Sequence, residues 1–345
     1  MSPVDGPSVD RVVVVGSGSA GQRHASTLRS LLPAAELVVV RRTPGPLPDR
    51  LAQLDPVVES SVADAVRRRP HVVVVASPAT HHAEDATEAL RAGAHVLVEK
   101  PLAATIADAE SIAVAASEVE RSVVVGYHLR FGRVAPLVAG MVRSGALGAL
   151  TSFRFEVGQH LDQWRPGTDP RRSVSARQEL GGGVLLELSH EVDAVRLVVG
   201  DVRDVTATLS TDGAPTDGKV ETVADLVLRA GEDVPGEVHL DMTSQTPFRR
   251  WTVDGEQGSL RADLLTGRVE LLGADGTVEV LSEGFDGERE LAEERLVAHL
   301  LDVVEGASPE CTVEDGLAAL AVVEAARRSA ATCGTVAVDR TAGPT

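Results

Sequence analysis

Short runs of apolar residues alternate, over the first third of the chain, with stretches whose apolar residues recur every three or four positions. The runs lie at 11–15, 36–40, 71–76, 95–99 and 123–126 and are dominated by valine. Unbroken β-branched runs of this length predict strands buried on both faces, as in a parallel sheet. The intervening stretches at 22–32, 62–69, 82–92 and 106–117 predict helices. Strand and helix in strict alternation predict a doubly wound parallel sheet. Residues 41–49 carry three prolines and a glycine and read as a loop.

Beyond about residue 127 the pattern changes. The segments 151–157, 202–210, 220–229, 237–243 and 249–253 are longer and often alternate apolar with polar residues, and Asp-Gly turn signals stand at 212–213, 217–218, 254–255 and 275–276. This predicts a mostly antiparallel sheet. A glycine triplet, Gly181-Gly182-Gly183, precedes one helix expected over 184–199. Residues 288–333 read as helical, split by a loop at 306–312, and a short strand is expected at 335–338. The chain therefore divides into an α/β domain at 10–126 and an α+β domain at 127–340, with flexible tails expected at 1–9 and 341–345.

Composition narrows the function. The 345 residues include 43% hydrophobic but only 2% aromatic side chains, so the core rests on Val, Leu and Ala. A formal charge of −18 is the wrong sign for a nucleic-acid groove, and any anionic ligand needs basic residues placed locally. The first ten residues lack the apolar core of a targeting signal, and no run approaches the roughly 18 apolar residues of a membrane span. Two cysteines, Cys311 and Cys333, lack metal-type clustering, and a cytoplasmic location is expected.

The chemistry begins after the first strand. Gly16-Ser17-Gly18-Ser19-Ala20-Gly21 follows a β-branched run and opens a helix. That order aims backbone N–H groups at a pyrophosphate near the positive end of the helix dipole, although a plain glycine-rich turn has the same letters. About 20 residues on, where an acid would hold the ribose hydroxyls of NAD, stand Arg41 and Arg42. Paired guanidiniums suit a 2′-phosphate, which favours NADP(H) over NAD(H); a solvated basic pair is the plainer alternative. Glu99-Lys100-Pro101 ends a strand at the edge where open α/β sheets bind ligands. Lys100 there suits polarising a hydroxyl or carbonyl, or is a surface Lys-Pro turn, with the proline in a cis or trans peptide.

Together with the glycine turn, His24, Ser77-Pro78-Ala79-Thr80-His81-His82 and Val125-Gly126-Tyr127-His128-Leu129-Arg130-Phe131, this set resembles the Gfo/Idh/MocA oxidoreductases. The resemblance spans nearly the whole chain. It implies an N-terminal Rossmann domain and a C-terminal α+β domain with a large, mostly antiparallel open sheet. It further implies that Ser77, Pro78, His82, Glu99, Lys100 and His128 join Gly16–Gly21 and the arginine pair around the cofactor. Ala79 stands where the family pattern has Asn.

On the helix expected after the glycine triplet, Glu187, His190 and Asp193 share one side at i, i+3, i+6, opposite an apolar stripe. Such a trio is ordinarily a solvated face, but Leu186 and Leu197 on the same side suggest a cleft. The family's corresponding trio is one residue longer between its first acid and the histidine, so the match of Glu187 is the looser. By resemblance His190 is the acid–base residue, with Lys100 its partner and Asp193 available to orient the ring or bind a substrate hydroxyl. Trp164 and Arg165, followed by Arg171, Arg172 and Arg177, suit stacking on a sugar and meeting an anion, or equally an oligomer contact. The run from Val157 through Glu191 resembles members of amino-sugar and nonulosonic-acid pathways. These readings converge on hydride transfer between NADP(H) or NAD(H) and a secondary alcohol or ketone of a sugar, amino sugar, nucleotide sugar or cyclitol. The alternatives are an NAD-dependent inositol or inosose dehydrogenase, and a non-catalytic NADP(H)-binding regulator. A homodimer or homotetramer built through the C-terminal sheet is expected.

Overall fold

β1 (Arg11–Val15) has four of its five residues buried, because a parallel strand flanks it on each side. Those neighbours are β2 (Glu36–Val40) and β4 (Val72–Val75). With β3 (Val57–Glu59), β5 (His95–Val98) and β6 (Val123–Val125) they form a six-stranded parallel sheet ordered β3-β2-β1-β4-β5-β6. The connecting helices are α1 (Ser19–Leu31), α2 (Asp49–Ala52), α3 (Val62–Val66), α4 (His82–Arg91) and α5 (Ile106–Val119). Local chemistry starts several of them. Ser61 caps α3 by accepting from the Asp64 N–H, and Thr105 caps α5 by accepting from the Asp108 N–H. α1 is capped by Gly18, which brings no side chain to its first-turn N–H groups.

The computed structural model describes residues 9–339, so the tail expected at 341–345, and that at 1–9 apart from Val9, lie outside the described residues. The described residues form two compact units: 9–126 with Glu293–Leu317, and Tyr127–Ala292 with 318–339. Whereas the sequence shows one boundary near 126, the stretch Glu293–Leu317 groups with the parallel sheet. It includes parts of α9 (Glu288–Val304) and α10 (Val313–Thr332). Val125 N–H donates to Cys311 O at 3.0 Å, Arg23 pairs with Glu293 at 2.7 Å, and Gly316 lies against Leu102.

The second unit opens with α6 (Val134–Arg143) and the long strand β7 (Leu150–Gly158). After α7 (Val184–Glu187) and α8 (His190–Val198) come β8 (Val202–Ser210), β9 (Val223–Ala230), β10 (Val234–Asp241) and β11 (Phe248–Gly255). β12 (Gly258–Asp263), β13 (Arg268–Gly273), β14 (Val278–Glu283) and the short β15 (Val336–Ala337) complete a nine-stranded sheet. Its order is β14-β13-β12-β11-β7-β10-β9-β8-β15, antiparallel except where β7 and β10 run parallel. Strict alternation along β9 buries one face and exposes the other. On the buried face Phe155 stacks on Trp251, ring centroids 4.7 Å apart.

Three differences from the sequence reading have physical causes. β3 lies outside the strands expected from the sequence: it is a three-residue edge strand with Val58 half exposed, so it carries no continuous apolar run. β12, β13 and β14 also lie outside the strands named from the sequence; each is six residues long, and β14 has no buried residue to mark an apolar face. The helix expected over 184–199 is two helices, interrupted at Leu188 and Ser189.

Candidate active site

The parallel sheet sets the carboxyl ends of β2, β1 and β4 side by side, at the point where the strand order reverses. The glycine turn leaves β1 there, tied to β2 by Gly16 N–H donating to Val40 O at 3.0 Å. Gly16 has φ +109°, and a Cβ on it would lie 2.5 Å from Ala76 O. A Cβ on Gly21 would lie 2.1 Å from Gly16 O, so this glycine lets α1 pack against the turn. Gly18 differs: a Cβ there would meet nothing within 4 Å. Two glycines are closed by backbone and the middle one faces open space. Ser17, Ser19 and Ala20 complete the turn, with the Gln22 amide donating to Ser17 O at 3.1 Å and Arg23 donating to Ser19 Oγ at 2.6 Å. These residues fit a dinucleotide, whose pyrophosphate needs bare backbone and helix N–H groups at this spot.

The flanks of the turn carry the other expected cofactor residues. Arg41 and Arg42 follow β2 but diverge. The Arg41 guanidinium donates to Gly45 O at 2.8 Å and to Pro46 O, within its own loop. Arg42 forms a two-pronged ion pair with Asp85 on α4, whose side chain is fully buried. Ser77 Oγ donates to the same Asp85 carboxylate at 2.7 Å. The hydrogen bond and charge of Asp85 hold the Arg42 pKa above its ordinary value. Pro78 precedes a short 3-10 turn, Ala79–His81, that leads into α4. His82, also buried, reaches Ser77 O and Pro101 O, each at 2.9 Å. Burial pushes its pKa below the usual imidazole value, and as a neutral ring it has one N–H to donate between those carbonyls.

After β5, Glu99 and Lys100 stand at the neighbouring strand end, and the Lys100–Pro101 peptide bond is cis. His24, buried on α1, meets Glu99 Oε1 through Nε2 at 2.6 Å, while Glu99 Oε2 accepts from the Lys100 N–H at 3.2 Å. A Cβ on Gly126 would lie 3.0 Å from Glu99 Cα, so the loop carrying Lys100 is closely packed.

In the second unit His190 begins α8 and is 5% exposed. Its ring meets the edge of His128 (centroids 4.3 Å, planes at 72°) and of Tyr127 (5.5 Å, 79°). One turn along, the Asp193 carboxylate accepts from Arg130 Nε at 2.9 Å and Nη2 at 2.6 Å, both partners being largely buried. A buried pair of this kind is costly to break from one side, about 3–5 kcal/mol, because the remaining charge stays desolvated. It ties the turn His128–Phe131 to α8 and so braces the His128–His190 contact. Glu191, fully buried, is held by Arg249 of β11 through two hydrogen bonds. Every residue from His190 through Val195 is buried, so α8 has no solvated face in this turn and a half. Glu187, on the preceding α7, accepts from Ser175 Oγ at 3.0 Å. The break at Leu188–Ser189 takes it out of the helical register assumed for the trio. Trp164 donates its indole N–H to Gln159 O at 3.1 Å, and the backbone of Arg165 accepts from Thr168.

Sequence reading missed Asp85, Tyr127, Glu191 and Arg249 as structural partners in these surroundings. Asp85 is one of three acids in the amphipathic stretch 82–92, beside Glu84 and Glu88, and nothing local distinguishes it from a solvated position. Arg130 and Tyr127 lay inside a motif already singled out.

Comparison with known proteins agrees with this arrangement. Residues 11–127 match the GFO/IDH/MocA family described as oxidoreductases with an NAD-binding Rossmann fold, and residues 137–261 match the GFO/IDH/MocA C-terminal domain. The 1,5-anhydro-D-fructose reductase of Ensifer adhaerens is 30% identical over 264 residues, 73% of this chain and 74% of that protein. An inositol 2-dehydrogenase of Mycolicibacterium gilvum (strain PYR-GCK) is 27% identical over 331 residues, 91% of this chain and 89% of that protein. The structure of levoglucosan dehydrogenase in complex with NADH and levoglucosan has the same fold, with a TM-score of 0.84 at 21% identity over 96% of this chain and 99% of that one.

Proposed function

Since the chain belongs to the Gfo/Idh/MocA oxidoreductases, we propose that it interconverts a secondary alcohol and a ketone on a sugar or cyclitol, with Lys100 and His190 as the groups that handle the substrate oxygen and its proton. The observation that carries this reading is the glycine turn, closed at Gly16 and Gly21 and open at Gly18. A bound nicotinamide supplies the acceptor or donor of hydride. The residues do the rest. The Lys100 ammonium hydrogen-bonds the reacting oxygen and favours negative charge on it. His190 takes the hydroxyl proton as the C–H bond breaks and returns it in the reverse direction, a role suited to the two nitrogens of an imidazole, which can hold or release a proton. Asp193 acts through Arg130, as the anchor of the turn that packs His128 against His190.

The cofactor favoured by this reading is NADP(H), with NAD(H) also accepted, because β2 is followed by Arg41-Arg42 rather than by an acid. The names of the relatives support sugars, and that of the inositol 2-dehydrogenase keeps cyclitols among the candidates. Trp164 and Arg165 belong to the proposed substrate-binding stretch together with Glu187. The proposed surface for a homodimer or homotetramer is the open face of the nine-stranded sheet, where Val227 is 56% exposed beside the Arg229–Asp204 pair. Among the described residues no helix is long and apolar enough to cross a membrane. A cytoplasmic location is part of the same proposal.

The test is to incubate the protein with NADP+ or NAD+ and a panel of sugars, amino sugars and cyclitols, following absorbance of the reduced nicotinamide. On the substrate so found, Lys100→Ala and His190→Ala are each expected to lower kcat by roughly a hundredfold or more. Full turnover by both variants would remove these residues from the chemistry.

A further inference from the structure

We propose that Asp85 sets the balance between the phosphorylated and unphosphorylated dinucleotides, because its buried carboxylate occupies the guanidinium fork of Arg42 that a 2′-phosphate would need. The inference rests on the cofactor reading above and concerns the same site.

Arg42 leaves the end of β2 and Ser77 the end of β4, the strands on either side of β1. Asp85 joins them, accepting from Arg42 Nη1 at 3.2 Å, from Nη2, and from Ser77 Oγ at 2.7 Å. The side chain of Asp85 is 0% exposed and that of Arg42 is 40% exposed. The two terminal nitrogens of the guanidinium are the pair that grips a phosphate bidentately, and here both are committed to a carboxylate.

The charges around Arg42 point the same way. Asp85, Glu84 and Glu88, all on α4, act on it, and the pKa of Glu88 is raised by burial and by its two acidic neighbours. Arg41, which a bare sequence pairs with Arg42, is turned onto Gly45 and Pro46. An incoming 2′-phosphate therefore meets one guanidinium already neutralised and ringed by carboxylates. Displacing Asp85 would leave its desolvated charge with the Ser77 hydroxyl alone, a costly state. Asp85 thus blunts the preference that two arginines would otherwise impose, and both dinucleotides are taken.

The test is an equilibrium titration of the full-length protein with NADPH and with NADH, read by nicotinamide fluorescence, for wild type, Asp85→Asn and Asp85→Asn/Arg42→Ala. The double variant avoids stranding a buried carboxylate. Asp85→Asn is expected to raise the NADPH-to-NADH affinity ratio at least tenfold while NADH affinity shifts less than threefold; the double variant is expected to lose that gain. An unchanged or lower ratio in Asp85→Asn, with a further fall in the double variant, would overturn the role of Asp85 and leave the NADP(H) reading standing. A double variant with the same ratio as Asp85→Asn would show that Arg42 does not read the phosphate, and both would fall. Thermal melting reports folding; if Asp85→Asn does not fold, Asp85→Ser, smaller and able to bond Ser77, takes its place with the same expectations.

Discussion

Three glycines in one turn do two different jobs, two as walls and one as an opening, and the distinction is measurable residue by residue. Gly21 is closed by the Gly16 carbonyl at 2.1 Å, so a methyl there forces backbone apart; Gly21→Ala is expected to cost about 3 kcal/mol or more. Gly18 meets no neighbour within 4 Å, so Gly18→Ala is expected to cost less than about 1 kcal/mol, the order of a weaker helix cap. The same Gly18→Ala is nonetheless expected to weaken dinucleotide binding at least tenfold, because the methyl occupies the space a pyrophosphate would fill. Urea denaturation and NADPH titration of the two variants separate these effects. Equal loss of stability in both would mean the turn is only a packing feature. Letters alone place the three glycines; which are walls and which is the opening depends on Ala76 and on the fold of α1.

At the scale of elements, His82 links the loops after β4 and β5 through Ser77 O and Pro101 O, close to Lys100. Its folded pKa lies below the unfolded value of about 6.5, because burial penalises the charged ring. The unfolded chain therefore binds more protons as pH drops. Stability from this group is complete above about pH 6.5 and declines as pH falls toward the folded pKa, with a slope of at most about 1.4 kcal/mol per pH unit. His82→Gln is expected to flatten that decline between pH 7 and 5 in denaturation midpoints; an unchanged slope would assign the acid sensitivity elsewhere. The parallel-sheet strands β1, β2, β4, β5 and β6 were legible because complete burial demands unbroken apolar runs. The break between α7 and α8 was not. Leu188 and Ser189 are compatible with a continuous helix, and tertiary contacts at the break, such as Tyr127 OH donating to Ser189 Oγ at 3.4 Å, cannot be read from the letters that separate Glu187 from His190. The surroundings of His190 were half legible: its neighbours His128, Tyr127 and Arg130 sat in a recognisable motif, but the Arg130–Asp193 pair joins residues 63 positions apart.

For the whole molecule, the formal charge of −18 makes local basic groups decisive for any anionic cofactor, and the arginine pair after β2 is already engaged by Asp85 and by the 45–46 loop. The chain path adds a second constraint. The parallel-sheet unit is finished by Glu293–Leu317, which supplies the carbonyl opposite Val125, the carboxylate opposite Arg23 and the backbone beneath Leu102. A fragment ending at Gly126 is therefore expected to show no cooperative thermal transition by circular dichroism, whereas the full chain does. A sharp transition in the fragment would show that the later stretch is dispensable.

That interlacing bears on how such proteins can trade specificities. Recombination that grafts a foreign substrate half onto this nucleotide half cannot use one crossover near residue 126. It must also preserve an island some 170 positions downstream, or carry over a matching one, so single-junction chimeras between distant relatives should come out unfolded while chimeras with junctions at all three boundaries, near 126, 292 and 317, survive.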